Sequence, residues 1–359
     1  MFAGYWFLTL HPLPFTLHQG KSMTDQQRTK VLALLSGGLD STLAVKLMQE
    51  QGFDITAVNF VTPFCTCNRK GRCEARHVAE KFDLPLKVIM VSEEYINIIR
   101  NPKFGHGRNM NPCLDCRIFM FRQAKKMMEE IGAAFIITGE VLGQRPMSQR
   151  RDAMRLIDRE AGLEGKVLRP LSAKLLPSTE MEGELVDREK MLDIQGRSRK
   201  PQMELAAQLG VDDYACAAGG CLLTDLEFAK RVRDLLAHSD NVTLRDMELL
   251  KIGRHFRLSP QAKAIVGRDE SENERLLKFA KDQDIIFRAT DFPGPLVLLQ
   301  SQPTPELLTQ TASLAARYSD GKDQPQVNVV CNRPGEPEET LSSLAICPAQ
   351  DDWLAQVRI

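Results

Sequence analysis

The stretch VLALLSGGLDSTLAVKLM, residues 31–48, runs from an apolar strand through two glycines into an amphipathic helix. Gly37 and Gly38 let the backbone turn sharply and bring its N–H groups close to a ligand. The helix that begins near residues 40–42 adds further N–H groups and the positive end of its dipole. The junction is therefore predicted to bind an anion, with Asp40 either capping the helix or holding Mg²⁺ beside the anion.

The spacing of this loop differs from the phosphate-binding pattern G-x-x-x-x-G-K-[ST], since the loop is shorter and has no lysine. Without that lysine, the loop is better suited to β and γ phosphates that leave together as pyrophosphate than to transfer of the γ-phosphoryl group. A tight turn between strand and helix, with Asp40 as a cap, is the plain alternative.

Strands and helices alternate along the first part of the chain. Further strands are predicted over 53–61, 86–91 and 134–140, with helical stretches between them. This alternation predicts an α/β fold with a doubly wound parallel sheet. Ligands of such sheets bind at the carboxyl ends of the strands, where SGGLDS (36–41) and TGEVLGQ (138–144) both fall.

The sequence is predicted to divide into three segments. Residues 1–23 lack the basic start and cleavage site of a signal peptide, so we expect a disordered or mis-assigned extension, with Met23 as the biological start. Residues 24–237 carry the α/β pattern. The short strands and single helix that follow predict a smaller C-terminal α+β domain over 238–359, whose tail holds one more strand candidate, QVNVVCN.

The charge balance limits the possible partners. The 359 residues contain 47 Lys and Arg against 47 Asp and Glu, so no overall field attracts the chain to nucleic acid or to an anionic membrane. An RNA partner would need a local basic patch, and no membrane partner is expected. Nine cysteines are too few for a disulfide scaffold in a chain of this length and several are clustered, which favours the reducing cytoplasm.

Cys113 and Cys116 have the spacing C-x-x-C, which suits a pair of zinc ligands, a pair of iron–sulfur ligands or a redox dithiol. Pro112 indicates that they open a helix, and the helix dipole is expected to lower the pKa of both thiols. Two small buried residues at the start of a core helix are the alternative.

The other cysteines are less specific. Cys65, Cys67 and Cys73 follow the second predicted strand and suit a zinc knuckle, a sulfur relay or a loop that is merely rich in cysteine. The remaining four lie further along the chain and, apart from Cys221, are expected to have no role in the site: Cys216, Cys221, Cys331 and Cys347.

SGGLDS resembles the pyrophosphate-loop signature of the ATP pyrophosphatase superfamily, whose members adenylate a carbonyl or carboxyl oxygen and release pyrophosphate. NPCLDC (111–116), ITGEVLGQRPMSQ (137–149) and AGGCLLTD (218–225) are similar to the catalytic half of tRNA 4-thiouridine synthases and related tRNA thiolases. Residues 240–300 resemble the RNA-binding domain, of the NFACT type, of ribosome quality-control factors. Because the loop starts at residue 36, there is no room for the N-terminal tRNA-binding domains of the classical synthase, so the target nucleotide stays open.

The resemblance implies ATP and Mg²⁺ as cofactors and a catalytic role for Asp40. In one branch of these thiolases, a C-x-x-C pair and a distant cysteine hold a [4Fe-4S] cluster, which Cys113, Cys116 and Cys221 fit as catalytic metal ligands. In another branch, two cysteines form a persulfide and then a disulfide. The residues expected to bind the nucleotide are Ser36, Gly37, Gly38, Asp40, Ser41, Thr42, Thr138, Gly139, Glu140, Gln144, Ser148 and Gln149.

Basic residues beside the predicted active edge are candidates for contacts with RNA phosphates, which position a nucleic acid without reading its sequence. GRSRK (196–200) is the better stretch, since the acids in RRDAMRLIDRE (150–160) can pair with its bases along one helix. The predicted RNA-binding residues are Arg150, Arg151, Arg197, Arg199, Lys200, Arg254 and Arg257.

We therefore expect an ATP-dependent tRNA thiolase that takes sulfur from sulfide or from a cysteine desulfurase. One alternative is adenylation of a small molecule, as in deazapurine nitrile synthesis or sacrificial sulfur transfer. The other is a non-enzymatic RNA-binding protein with structural zinc. The sequence allows a homodimer without deciding it.

Overall fold

The computed structural model describes residues 28–65, 73–212, 214, 220–336 and 342–359. The predicted N-terminal extension, Cys67 and Cys216 lie outside these residues. Within the described part of the chain, no helix combines the length and apolar character needed to cross a membrane.

The first strand and helix form where the glycine motif predicts them. After the exposed Lys30, the strand is a continuous buried apolar run, as is typical of parallel sheets covered on both faces. The helix that follows starts directly after Gly38. The first five elements are β1 (Lys30–Leu34), α1 (Leu39–Glu50), β2 (Asp54–Val61), α2 (Glu74–Lys81) and β3 (Leu86–Met90).

The next elements complete the first sheet. They are α3 (Glu94–Arg100), α4 (Cys113–Ile131), β4 (Phe135–Thr138), α5 (Arg151–Ala161) and β5 (Val167–Leu168). The five strands lie in the order β3-β2-β1-β4-β5, and every neighbouring pair is parallel. The predicted doubly wound α/β sheet is confirmed.

The order of the strands reverses at β1, which pairs with β2 on one side and with β4 on the other. Such a reversal opens a crevice at the carboxyl ends of the two strands that flank it. The SGGLDS loop follows β1, and the TGE motif (138–140) lies at the end of β4. The fold therefore places the two motifs side by side.

A helical connection leads from this sheet to the second one. It comprises α6 (Lys200–Gln208), α7 (Leu226–His238) and α8 (Leu244–Leu249). The side chain of Asp225 caps α7 by accepting a hydrogen bond from the Phe228 backbone, 2.8 Å. At the other end, Arg100 on α3 donates to the carbonyl oxygens of Leu236 and Ser239, at 3.0 and 2.6 Å.

The second sheet has six strands in the order β11-β10-β8-β9-β7-β6, all antiparallel. Helix α10 packs on it through Ala312, Leu314 and Ala315, which belong to the same apolar core as the strands. The elements are β6 (Arg254–Ser259), β7 (Ala262–Val266), α9 (Glu270–Phe279), β8 (Ile285–Ala289), β9 (Val297–Gln300), α10 (Pro305–Arg317), β10 (Val327–Asn332), β11 (Ser342–Ile346) and α11 (Asp351–Val357).

The predicted α+β character of this C-terminal part is confirmed, and QVNVVCN forms β10. The expectation of a single helix between 240 and 300 was wrong, because α8 and α9 both lie there. The tail also adds β11 and α11, whose short segments are stabilised by pairing with β10 and by packing on β6 rather than by their own periodicity.

Polar contacts join α7 to the second sheet. Arg257 on β6 donates two hydrogen bonds to the Asp234 carboxylate, at 3.1 and 2.6 Å. Arg231 donates to the Leu250 carbonyl oxygen at the end of α8, 3.0 Å. Near its C-terminal end, helix α7 is thus held both by α3 of the first sheet's layer and by β6 of the second sheet.

Candidate functional site

Gly37 has a conformation and surroundings that exclude a side chain. Its φ of +76° lies in the left-handed region, and a Cβ atom there would lie 2.7 Å from the Cβ of Glu74 at the start of α2. The loop can therefore follow this path only with glycine at residue 37, and it brings the start of α2 against the start of α1.

Hydroxyl groups close the loop on itself. Ser41 donates to the Gly38 carbonyl oxygen at 2.9 Å and accepts from the backbone N–H of Ser36 at 3.2 Å. Thr42 also donates to the Gly38 oxygen, at 3.1 Å. Gly38 precedes the helix without a side-chain cap, so the first-turn N–H groups of α1 are directed at the crevice.

Asp40 combines a fixed position with an unsatisfied oxygen. Its Oδ2 accepts a hydrogen bond from Gln144 Nε2 at 3.0 Å. Its Oδ1 is buried and has no hydrogen-bond partner among the described residues. Because Mg²⁺ prefers oxygen ligands and binds through one or two carboxylates together with phosphates, this oxygen fits the predicted magnesium ion.

Gly139 joins the two motifs. A Cβ atom on Gly139 would lie 2.5 Å from the Cα of Ser41, so the TGE motif contacts the first turn of α1. The residues that follow fold back on themselves, with Gly143 N–H donating to the Gln149 carbonyl oxygen at 2.6 Å. Ser148 and Gln149 are buried, and Gln149 Oε1 has no hydrogen-bond partner within the described ranges.

Glu140 is the centre of a buried ionic network. It accepts from Arg117 Nε at 2.9 Å and from Arg169 Nε at 3.0 Å, and Arg169 forms two further bonds to Asp158. Burial alone would raise the pKa of Glu140, but Arg117 and Arg169 outweigh it and hold that pKa below its ordinary value. Both carboxylate oxygens have arginine partners, so Glu140 fixes Arg117 beside the C-x-x-C pair.

The C-x-x-C pair opens α4, as predicted, with Pro112 immediately before it. Tyr95 donates a hydrogen bond to Cys116 Sγ at 2.9 Å, and Asn111 Nδ2 donates to Cys113 Sγ at 3.2 Å. Both thiols are half-buried. Each sulfur therefore has its own hydrogen-bond donor.

Backbone hydrogen bonds bring the distant Cys221 to these thiols. Leu222 N–H donates to the Phe64 carbonyl oxygen at 2.9 Å, and Met110 N–H donates to the Leu223 oxygen at 3.1 Å. Cys221 itself forms an isolated antiparallel bridge with Cys65, which lies four residues beyond the end of β2. The segment of Cys221 is thus held between the segment that follows β2 and the loop that precedes α4.

Burial raises the pKa of Cys116 to about 11 and that of Cys221 to about 12. The prediction that the helix N-terminus lowers the pKa was wrong for Cys116, because desolvation outweighs the opposing effects of the Tyr95 hydrogen bond and the Arg117 charge. Negative charges on Cys65 and Cys113 would raise the pKa of Cys116 and of Cys221 further. These four cysteines therefore lie near one another.

The thiols of Cys113, Cys116 and Cys221 are chemically suited to the predicted [4Fe-4S] cluster. They are half-buried and lie together, and they become thiolates when a metal displaces their protons. Among the described residues, no three His, Cys, Asp or Glu side chains converge as the ligands of one metal ion would. A [4Fe-4S] cluster takes each thiolate on a separate iron, so its ligands need not converge in that way.

The predicted RNA-binding residues differ in their partners. Arg150 forms an ion pair with Asp152 at 2.6 Å, and Arg257 donates hydrogen bonds to Asp234. The Arg254 guanidinium lies 4.9 Å from the centre of the Tyr318 ring. Arg197 is exposed and Arg199 is half-buried, and neither forms an ion pair within the part of the chain that the structure describes. Arg151 donates to the Leu175 carbonyl oxygen, and Lys200 lies 3.9 Å from Glu204.

Sequence reasoning missed three residues of the site: Tyr95, Arg117 and Arg169. Arg117 directly follows the C-x-x-C pair, which was a usable signal. Tyr95 and Arg169 reach the site only through packing between elements that are distant in the sequence.

The fold and the site combine a parallel α/β sheet, which carries a glycine loop and grouped thiols at the carboxyl ends of its strands, with an antiparallel sheet that follows it. Residues 26–174 match the family model of the thiamine biosynthesis protein (ThiI), and residues 253–356 match that of the NFACT protein RNA binding domain. The resemblance to pyrophosphate-loop tRNA thiolases and to an NFACT-type RNA-binding domain is thereby confirmed.

Individual proteins are similar over part of the chain. The tRNA-specific 2-thiouridylase MnmA of Leptospira biflexa is 30% identical over 121 residues, which cover 28% of this chain and 32% of that protein. The chain thus spans about a third of the length of this relative. A 4-thiouridine synthetase–RNA complex with bound ATP aligns at 22% identity over 51% of this chain and 41% of that chain, with a TM-score of 0.35. The U34-tRNA thiolase NcsA from Methanococcus maripaludis, with its [4Fe-4S] cluster, aligns at 19% identity over 58% and 66%, with a TM-score of 0.34.

Proposed function

We propose that the protein is an ATP-dependent tRNA sulfurtransferase that adenylates a uridine carbonyl oxygen and replaces that oxygen with sulfur, releasing pyrophosphate and AMP. The observation that carries the proposal is the contact of Gly139 with Ser41. Through this contact the phosphate loop and the TGE motif share one edge of the sheet, and Glu140 links that edge to the thiols through Arg117.

In the adenylation step, the phosphates of ATP would lie over residues 36–42. The first-turn N–H groups of α1 would bind the pyrophosphate oxygens, and Asp40 Oδ1 would hold the Mg²⁺ that neutralises them. The uridine oxygen attacks the α-phosphorus, and pyrophosphate leaves with its electron pair. The base then carries AMP, which is a far better leaving group than oxide.

In the sulfur step, Cys113, Cys116 and Cys221 would hold the [4Fe-4S] cluster, which supplies one iron without a protein thiolate as a position for sulfide. Asn111 and Tyr95 would orient the thiolates of Cys113 and Cys116. Sulfide, or sulfur delivered by a cysteine desulfurase, then replaces AMP at the activated carbon. We place this chemistry in the cytoplasm, where thiols stay reduced.

The C-terminal domain would supply much of the RNA affinity. Its family match supports RNA binding, and the balanced overall charge means that binding must come from local basic groups. Arg197 and Arg199, directly before α6, would bind tRNA phosphates near the target uridine and hold that uridine beside the active edge.

The test is anaerobic turnover with ATP, Mg²⁺, sulfide and tRNA that lacks thiolated nucleosides. We expect pyrophosphate release that depends on tRNA, and an equal amount of a thiouridine detected by nucleoside mass spectrometry. Release without tRNA would indicate a small-molecule acceptor, and absence of release would indicate an RNA-binding protein without catalysis.

A further inference from the structure

The segment that follows β2 and the segment of Cys221 form an isolated antiparallel bridge in which Cys65 and Cys221 are directly opposite each other. The hydrogen bond from Leu222 N–H to the Phe64 carbonyl oxygen, 2.9 Å, joins the residues that flank the pair rather than the pair itself. This pattern marks a non-hydrogen-bonded pair, in which the Cα atoms are about 4.5 Å apart and the side chains are closer than at the alternate positions.

That separation suits a disulfide bond. Disulfides join residues whose Cα atoms are about 4.4–6.8 Å apart, and the spacing typical of a non-hydrogen-bonded pair lies at the short end of that range. The two side chains leave the same face of the pairing, because directly opposed residues of antiparallel strands point to the same side.

The surrounding structure holds both segments in place. The buried Phe64 ring packs against Tyr95 and Phe228, with ring centres 6.2 and 6.0 Å apart. Thr62 Oγ1 lies 3.2 Å from Cys65 Sγ, and Thr224 Oγ1 donates to the Cys221 carbonyl oxygen at 2.7 Å. The opposed cysteines are therefore anchored from both strands.

We propose that Cys65 and Cys221 form a reversible cross-strand disulfide. Cys65 then controls whether the Cys221 thiol is available to the thiol site. A low-molecular-weight disulfide is the oxidant. One cysteine thiolate attacks the small disulfide and expels the first small thiolate, which leaves a mixed disulfide. The second cysteine thiolate then attacks the protein sulfur of the mixed disulfide and expels the second small thiolate. Two protein thiols are oxidised, the small disulfide is reduced to two thiols, and the two protons pass from the cysteines to these thiols.

The consequence for the site rests on the proposed function. In the reduced state Cys221 is available to the cluster beside Cys113 and Cys116, and in the oxidised state only the C-x-x-C pair remains. Oxidation would thus exclude the cluster, whereas reduction by a dithiol would restore its third ligand.

The experiment uses the full chain after removal of metal. The reduced protein is exposed to glutathione disulfide, its remaining thiols are alkylated, and disulfide-linked peptides are identified by mass spectrometry. We expect the Cys65–Cys221 linkage to dominate, to disappear in Cys65→Ala and Cys65→Ser, and to persist in the control Cys73→Ala. A dominant Cys113–Cys116 linkage, a linkage of Cys65 to another cysteine, or the absence of any linkage would overturn the proposal.

A second measurement is the iron bound on anaerobic reconstitution directly after oxidation. The wild type should bind several-fold less iron than its reduced form, and Cys65→Ser should bind the same amount before and after oxidation. Equal losses in both proteins would overturn the proposal. A protein that forms the linkage but never thiolates tRNA would retain this inference and refute only the proposed function.

Discussion

Gly139 lies so close to Ser41 that a Cβ atom on the glycine would be 2.5 Å from the serine Cα. The end of β4 and the first turn of α1 are therefore in backbone contact, with no side chain between them. This contact sets the distance between the predicted phosphate site and the network around Glu140.

Gly139→Ala should separate these two backbones by the thickness of a methyl group. We expect pyrophosphate release to fall about 100-fold, since a displacement near 1 Å of reacting groups has an effect of that size. The control is Gly132→Ala at the end of α4, where a φ of +65° strains alanine but a Cβ atom would have no neighbour within 4 Å, so it should lower stability without lowering the rate of pyrophosphate release. Equal activity of the two variants would contradict the assigned role of the contact.

Asp40→Asn keeps the shape of the side chain and removes its charge. We expect magnesium-dependent pyrophosphate release to fall on the order of 100-fold, as when one electrostatic contact to the transition state is lost. Asp54→Asn, at the exposed start of β2, should leave the rate unchanged. Near-normal turnover of a folded Asp40→Asn protein would remove the pyrophosphate-loop assignment.

Replacement of Cys113, Cys116 or Cys221 by Ala should eliminate bound iron and tRNA thiolation. Adenylation should continue, because the ATP site uses none of these residues. Iron analysis, visible absorption and pyrophosphate release measure the two effects separately, with the exposed Cys347→Ala as the control. Full iron content in Cys221→Ala would show that another cysteine is the third ligand.

The sequence was sufficient for features that depend on local chemistry. The glycine loop, the C-x-x-C helix start and the alternation of strands and helices each follow from neighbouring residues. The position of Cys221 depends on its pairing with Cys65. The raised pKa of Cys116 depends on burial, which outweighs the opposing hydrogen bond from Tyr95. Such effects arise between segments far apart in the chain, where no short pattern records them.

Glu140→Gln should destabilise the protein by about 3–5 kcal/mol at neutral pH, because Arg117 loses its counter-charge and the buried Arg169 keeps only Asp158. The folded-state pKa of Glu140 lies below its ordinary value of 4.5, so its contribution is present above that pH and is lost as the pH falls through the folded pKa. Denaturant unfolding from pH 7 to 3 should therefore show a shallower decline in the variant.

The control for this prediction is Glu130→Gln, which removes an exposed pair with Lys87 at 3.4 Å. Its effect should stay below about 1 kcal/mol, as for most surface ion pairs. If the two variants lost the same free energy of unfolding, the network around Glu140 would not stabilise the fold as described.

The double variant Arg197→Ala, Arg199→Ala should bind tRNA more weakly and with a smaller dependence on salt. Each lost phosphate contact reduces the slope of log affinity against log salt by about 0.7–0.9. Arg122→Ala is the control, since Arg122 is not among the predicted RNA-binding residues and its guanidinium donates to the Glu160 carbonyl oxygen. An unchanged slope in the double variant would exclude these arginines from the RNA-binding surface.

Helix α7 starts five residues after Cys221, which precedes a short 3₁₀ turn. The helix carries Asp234, the partner of Arg257 on the second sheet. Its 13 residues correspond to about 20 Å of rigid helix. One end of the helix lies beside the thiols, and Asp234 near the other end binds the second sheet. The helix therefore fixes the distance between the thiols and that sheet. An RNA held by the second sheet would then present to the sulfur whichever nucleotide lies at that fixed reach, so the modified position would be selected by distance rather than by reading of its base.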